Sequence, residues 1–123
     1  LHVDDDSDIQ EVARLTLEAI GGFTVETCSS GQDALDRAPG FAPDLILLDV
    51  MMPQMDGPTT YAKLRAQPGM AKVPVIFMTA KVQSHETRQY LDLGALGVIT
   101  KPFDPMVLSD QIRSIWATTL PSA

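Results

Sequence analysis

The sequence predicts an α/β domain, a doubly wound parallel sheet of five strands wrapped by five helices. Three observations predict it. Leu45, Ile46, Leu47 and Leu48 form an apolar run without polar alternation, as expected of a strand covered on both faces. Strand-like and helix-like stretches alternate βαβαβαβαβα, the order that right-handed crossovers turn into a parallel sheet. The polar residues best suited to chemistry fall at predicted strand C-termini, where open sheets gather their ligands.

Taken in order, residues 1–4 (Leu-His-Val-Asp) read as the end of a first strand whose beginning is missing, since the chain does not start with Met. Ser7 is a candidate N-cap. Ile9, Val12, Ala13, Thr16, Leu17 and Ile20 then keep the rhythm of an amphipathic helix, and Gly21-Gly22 end it. Phe23–Cys28 alternates and predicts the second strand. Ser30 caps a short second helix through Ala38, with Pro39-Gly40 as its stop. The third strand is Asp44–Asp49, followed by a Pro-, Met- and Gly-rich loop, Val50–Gly57.

A third helix is predicted from Pro58 to Gln67, broken by Pro68-Gly69, and a fourth strand over Val73–Thr79. Helix Ser84–Leu93 leads through Gly94 to a fifth strand, Gly97–Thr100, interrupted by Lys101-Pro102. Asp104 caps a last helix to about Thr118, with Val107, Leu108, Ile112, Ile115 and Trp116 on its apolar stripe. Thr119–Ala123 reads as a tail or the start of a linker.

The 123 residues have the length of one domain, and such a domain buries roughly two thirds of its unfolded surface. No apolar run nears the ~20 residues that span a bilayer, and no secretory signal pattern opens the chain. The single cysteine, Cys28, predicts an inert buried thiol and a reducing cytoplasm. Residues 1–50 hold eleven acids against Arg14 and Arg37, or −9; residues 51–123 hold five acids against seven Lys and Arg, or +2. The acidic half and the absence of a basic cluster predict no direct nucleic-acid binding. His2 and His85 lie apart without a ligand partner at helical spacing and read as exposed or hydrogen-bonded. Met51, Met52, Met55 and Met78 read as gap-fillers or loop packing rather than metal ligands.

The predicted strand ends bring together Asp4, Asp5 and Asp49 with Thr79 and Lys101. Each alone is ordinary: Asp caps turns, Thr sits in strands, and acid runs are commonly solvated. Their coincidence on one rim is not. Two carboxylates ~4 Å apart repel by about 1 kcal/mol in water and about 4 kcal/mol at an effective dielectric near 20, so the cluster calls for a cation. Hard oxygen ligands favour Mg²⁺ or Mn²⁺ over zinc, and Mg²⁺ takes one or two carboxylates plus phosphate oxygens. An aspartate is a competent nucleophile toward phosphorus. Lys101 would pair with one phosphoryl oxygen and Thr79 would hydrogen-bond another.

The segments "VDDDSDI", "LILLDVMMPQMDG", "VPVIFMTA" and "GVITKPF" resemble the receiver domains of two-component response regulators, and the resemblance runs from Leu1 to about Thr118. It implies a flavodoxin-like fold with strand order 2-1-3-4-5. It also implies Asp49 as phosphoacceptor, Asp5 as a direct Mg²⁺ ligand, Asp4 acting through water, and the backbone carbonyl of Met51 as a further ligand. Thr79 is then the switch hydroxyl, and Lys101 the lysine whose bond to Pro102 is often cis. Implied partners are a histidine kinase or histidine phosphotransfer protein and a downstream output domain or target, with dimerisation through the fourth helix, fifth strand and fifth helix. Such a chain catalyses its own phosphorylation and slow dephosphorylation, and signals by conformational change.

One position departs from that pattern. Where receivers often carry Tyr or Phe three residues before the lysine, this chain has Val98. A ring-flip switch is therefore not expected, although Thr79 could still draw the loop Ala80–Ser84 with it.

The alternative reading is a Mg²⁺-dependent phosphohydrolase of the haloacid-dehalogenase type, which uses the same groups. Its nucleophile ends the first strand in an Asp-x-Asp motif and its acidic pair comes last, the reverse of the order here. A flavin-binding module fails because three aspartates after the first strand would repel a flavin phosphate. A pure interaction module is disfavoured by the intact Asp49, Thr79 and Lys101.

Overall fold

The apolar run at residues 45–48 becomes the middle strand of the sheet in the computed structural model, which describes residues 1–80 and 84–117. The elements are β1 (His2–Val3), α1 (Ser7–Ala19), β2 (Thr27–Cys28), α2 (Gly31–Phe41), β3 (Ile46–Asp49), α3 (Gly57–Arg65), β4 (Val75–Thr79), α4 (Ser84–Leu93), β5 (Gly97–Thr100) and α5 (Leu108–Ala117). All strand pairs are parallel, in the order β2-β1-β3-β4-β5. Residues 81–83 of the loop after Thr79, Thr118 and the Thr119–Ala123 tail lie outside the described residues.

Alternation along the strands divides the core between the two faces. Val3, Ile46, Leu48, Val75 and Phe77 pack with Ala34, Ala38, Tyr61 and Leu64 of α2 and α3. Leu47, Ile76, Met78 and Ile99 pack with Ala13, Leu17, Leu108 and Ile112 of α1 and α5. Val12 and Ile20, expected on the buried stripe of α1, are exposed instead.

Several boundaries differ from expectation for identifiable reasons. Asp6, not Ser7, caps α1, because its carboxylate accepts from the backbone N–H of both Asp8 and Ile9. β2 spans two residues rather than the six expected, paired with β1 at His2 with Thr27 and Val3 with Cys28. β3 and β4 each begin two residues later than predicted, and α3 ends at Arg65.

Pro39 does not stop α2. The helix runs on to Phe41 and closes at Ala42 with φ +53°. Pro39 has no N–H for the Leu35 carbonyl four residues back, and the Gln67 side-chain amide donates to that oxygen at 3.0 Å instead. Asp104 anchors a turn ahead of α5: its carboxylate accepts from Met106 N–H and its carbonyl from Leu108 N–H.

Candidate functional site

Parallel strands present their C-termini on one rim, and the residues expected there arrive from four of them. Asp4 follows β1, Asp49 ends β3, Thr79 ends β4 and Lys101 follows β5. Asp4, Asp49 and Thr79 are buried, Asp5 is exposed, and Lys101 is half-buried. Backbone hydrogen bonds fix the register, with Val50 N–H to the Met78 carbonyl and Lys101 N–H to the Thr79 carbonyl. Lys101–Pro102 is cis.

The ammonium of Lys101 lies 2.8 Å from Asp4 Oδ2 and 3.0 Å from Asp49 Oδ1. It therefore bridges the two buried carboxylates that would otherwise repel. Asp4 Oδ1 accepts from Asp6 N–H. Asp4 Oδ2 is buried and makes no aligned hydrogen bond, so its contact with the ammonium is an ion pair. One carboxylate oxygen each from Asp4, Asp5 and Asp49 falls within 4.8 Å of the others. Three hard oxygen donors at this spacing fit a small divalent cation such as Mg²⁺.

Electrostatics set the site on edge. Burial pushes the Asp49 carboxyl above its usual value, the carboxylates of Asp4 and Asp5 push the same way, and Lys101 opposes them. For Lys101, burial pulls down, but its bonds to Asp4 and Asp49 outweigh it and hold the ammonium above its ordinary value.

The loop after Asp49 carries Met51, whose side chain is 66% exposed, while Met52 is buried. The exposed Met51 side chain is not the packing element expected. At the end of the loop, Asp56 caps α3 by accepting from Thr59 N–H, and Gly57 N–H donates to the Val50 carbonyl at 2.8 Å. That bond folds the loop back onto the end of β3, and a Cβ at Gly57 would lie 2.5 Å from the Asp49 carbonyl oxygen. Sequence pattern alone gives Gly57 no role beyond the loop; the Asp-Gly-Pro run at the helix start is the signal that marks it.

His2 corrects a second expectation. It is neither exposed nor hydrogen-bonded: the side chain is 1% exposed and neither ring nitrogen has a partner. Desolvation pushes its pKa down to about 4. Cys28 is buried as expected, its thiol pushed up to about 12 by burial.

Comparison with known proteins places this geometry. The sequence profile described as "Response regulator receiver domain" matches residues 1–113. The chain is 38% identical over 115 residues to the alkaline phosphatase synthesis transcriptional regulatory protein PhoP of Bacillus subtilis, covering 94% of this chain and 47% of that protein. The chain thus spans about half the length of the curated relatives it matches. Among solved structures it resembles chemotaxis protein CheY4 of Vibrio cholerae, with a TM-score of 0.85, 30% identity, and 93% and 94% of the two chains covered. It also resembles the signal receiver domain of a histidine kinase from Syntrophus aciditrophicus, with a TM-score of 0.80, 30% identity, and 99% and 92% covered. These relatives lend no support to the phosphohydrolase alternative. The fold, the matched profile and the relatives agree that the chain belongs to the response regulator receiver domain family.

Proposed function

We propose that Asp49 accepts a phosphoryl group from a phosphohistidine on a histidine kinase or histidine phosphotransfer protein, in a Mg²⁺-dependent reaction, and that the phosphorylated chain signals by changing conformation. The observation that carries this reading is the Lys101 ammonium held 3.0 Å from Asp49 and 2.8 Å from Asp4 at the strand ends. It is a cation already placed beside the nucleophile.

An oxygen of Asp49 attacks phosphorus in line with the imidazole nitrogen. The P–N bond breaks with its electron pair returning to the ring, which takes a proton from solvent, and the new P–O bond leaves an acyl phosphate. Lys101 turns from the carboxylates to an equatorial phosphoryl oxygen, and the Thr79 hydroxyl donates to another. Asp5, Asp49 and the Met51 carbonyl would hold Mg²⁺, with Asp4 acting through water. When bound, the ion offsets the charge that builds on the phosphoryl oxygens. Water later cleaves the acyl phosphate slowly, so the chain traps about one equivalent rather than turning over substrate.

The downstream partner is an output domain or target protein, with the surface of α4, β5 and α5 as the place where it or a second copy docks. The domain extends to about Thr118. The lone buried thiol of Cys28 and the absence, among the described residues, of a helix long and apolar enough to cross a membrane suit a cytoplasmic protein. The acidic rim suits no direct contact with nucleic acid.

Intact mass after incubation with acetyl phosphate, with and without Mg²⁺, tests the reading. The wild type gains one phosphoryl group only with Mg²⁺, and Asp49→Ala gains none. A wild type that stays unlabelled while a control receiver is labelled ends the proposal.

A further inference from the structure

We propose that Tyr90 is the positioning residue that relays the state of the Asp49–Thr79 rim to α4, the part that an aromatic at position 98 would otherwise play. This rests on the phosphoacceptor reading above.

The inner face of α4 is sparse. Among its described side chains none is fully buried, and only Glu86, Thr87 and Tyr90 are half-buried. These three stand at i, i+1 and i+4, on one side of the helix. Leu91 and Leu93 are 45% and 51% exposed, so Tyr90 is the only large ring or aliphatic group that this helix turns toward the sheet. Whatever holds α4 in place through its side chains acts largely at this residue.

The Tyr90 ring meets Phe77 of β4, with centroids 5.1 Å apart at 43°, and Phe77 in turn meets Tyr61 of α3 at 5.6 Å. Phe77 precedes Thr79 by two positions on the same strand, so both side chains leave β4 on the same face. The β5 residue in register with Phe77 is Val98, which packs half-buried on the same core. With a valine there, the aromatic contact on the Phe77 flank comes from α4 rather than β5. A displacement of the Thr79 end of β4 is thus felt first, on this face, by the ring stack that anchors α4.

Glu86 makes the anchored state costly. It lies one turn before Tyr90, and its Oε2 is buried without a hydrogen-bond partner. A buried, unsatisfied carboxylate oxygen is unfavourable, and moving α4 outward hydrates it. The ring contact of Tyr90 favours the docked helix and the buried Glu86 oxygen one turn away opposes it, the kind of balance a two-state element uses.

The test is amide hydrogen exchange of α4 in the full chain with Mg²⁺, with and without acetyl phosphate, on samples whose phosphoryl uptake is read by intact mass. Wild type and Tyr90→Phe are expected to show a several-fold phosphate-dependent change in α4 exchange, because the stack needs the ring and not the hydroxyl. Tyr90→Ala is expected to take up the same phosphoryl group while that change falls below about twofold. Should circular dichroism show Tyr90→Ala unfolded, Tyr90→Leu replaces it, with the same loss expected from bulk without a ring. An alanine or leucine variant that keeps the full change, a phenylalanine variant that loses it, or a labelled wild type with unchanged α4 overturns the relay alone. A wild type that gains no phosphoryl group overturns the phosphoacceptor reading and the relay with it.

Discussion

Gly57 lies against the backbone of Asp49 so closely that a methyl group on its α-carbon would sit 2.5 Å from the Asp49 carbonyl oxygen and 2.8 Å from Val50 Cα. Both obstacles are backbone and cannot rotate away. Gly57→Ala is expected to cost about 1–3 kcal/mol of stability, the usual range for overpacking, and to slow phosphoryl uptake by shifting the acceptor strand. Denaturant unfolding alongside labelling rates checks this. A variant as stable and as fast as wild type would mean that the loop yields without moving Asp49.

A divalent cation should stabilise the fold through the three clustered aspartates. At ten times its dissociation constant the gain is about 1.4 kcal/mol, visible as a rise in Tm with added Mg²⁺ that chelator reverses. Asp49→Asn should lose most of this rise. Without metal the same variant should be the more stable chain, because burial and the neighbouring carboxylates disfavour ionised Asp49. A Mg²⁺ response undiminished in Asp49→Asn would place the ion elsewhere.

His2 predicts an acid-sensitive fold. Its ring titrates near 6.5 when exposed, and burial lowers this to about 4. Between those values the unfolded chain binds a proton that the folded chain refuses, so stability is full above pH 6.5 and falls as pH drops toward 4. The loss by pH 4 is about 3 kcal/mol. Asp49, raised rather than lowered, works in the opposite sense over the acid range. Unfolding of wild type and His2→Leu across pH 7 to 4 in metal-free buffer separates the two. The leucine variant should lose the downward slope, and equal slopes would exonerate His2.

Gln67→Ala should destabilise the chain by about 1–2 kcal/mol, the cost of leaving the half-buried Leu35 carbonyl without a donor. Replacing Pro39 as well tests the cause. In Pro39→Ala/Gln67→Ala the restored N–H can reach Leu35, so the penalty should shrink. Additive losses would show that the two residues act separately.

What the sequence disclosed follows the range of the forces involved. The β3 run was legible because Leu45–Leu48 must be covered on both sides whatever surrounds them. The strand-end residues were legible because the crossover order alone carries Asp4, Asp49, Thr79 and Lys101 to one rim. Pro39 misled because the Leu35 carbonyl it leaves unpaired is served by Gln67, 32 positions beyond Leu35. The closeness of Gly57 to Asp49 is likewise a product of how the loop folds back. The burial of His2 depends on the β1 neighbours it meets only in the finished sheet.

The Gln67–Leu35 bond also sets how the molecule transmits force. α2 is pinned by that bond to the turn that follows α3, and Gly31 of α2 packs so closely on Thr60 and Met55 that a side chain there would collide with both. This flank has little freedom to slide. On the same face of the sheet, Tyr90 is the one ring by which α4, among its described side chains, meets the core. A push arriving at the rim will therefore spend itself where the resistance is least, so that the molecule behaves as a lever with one clamped arm and one compliant arm.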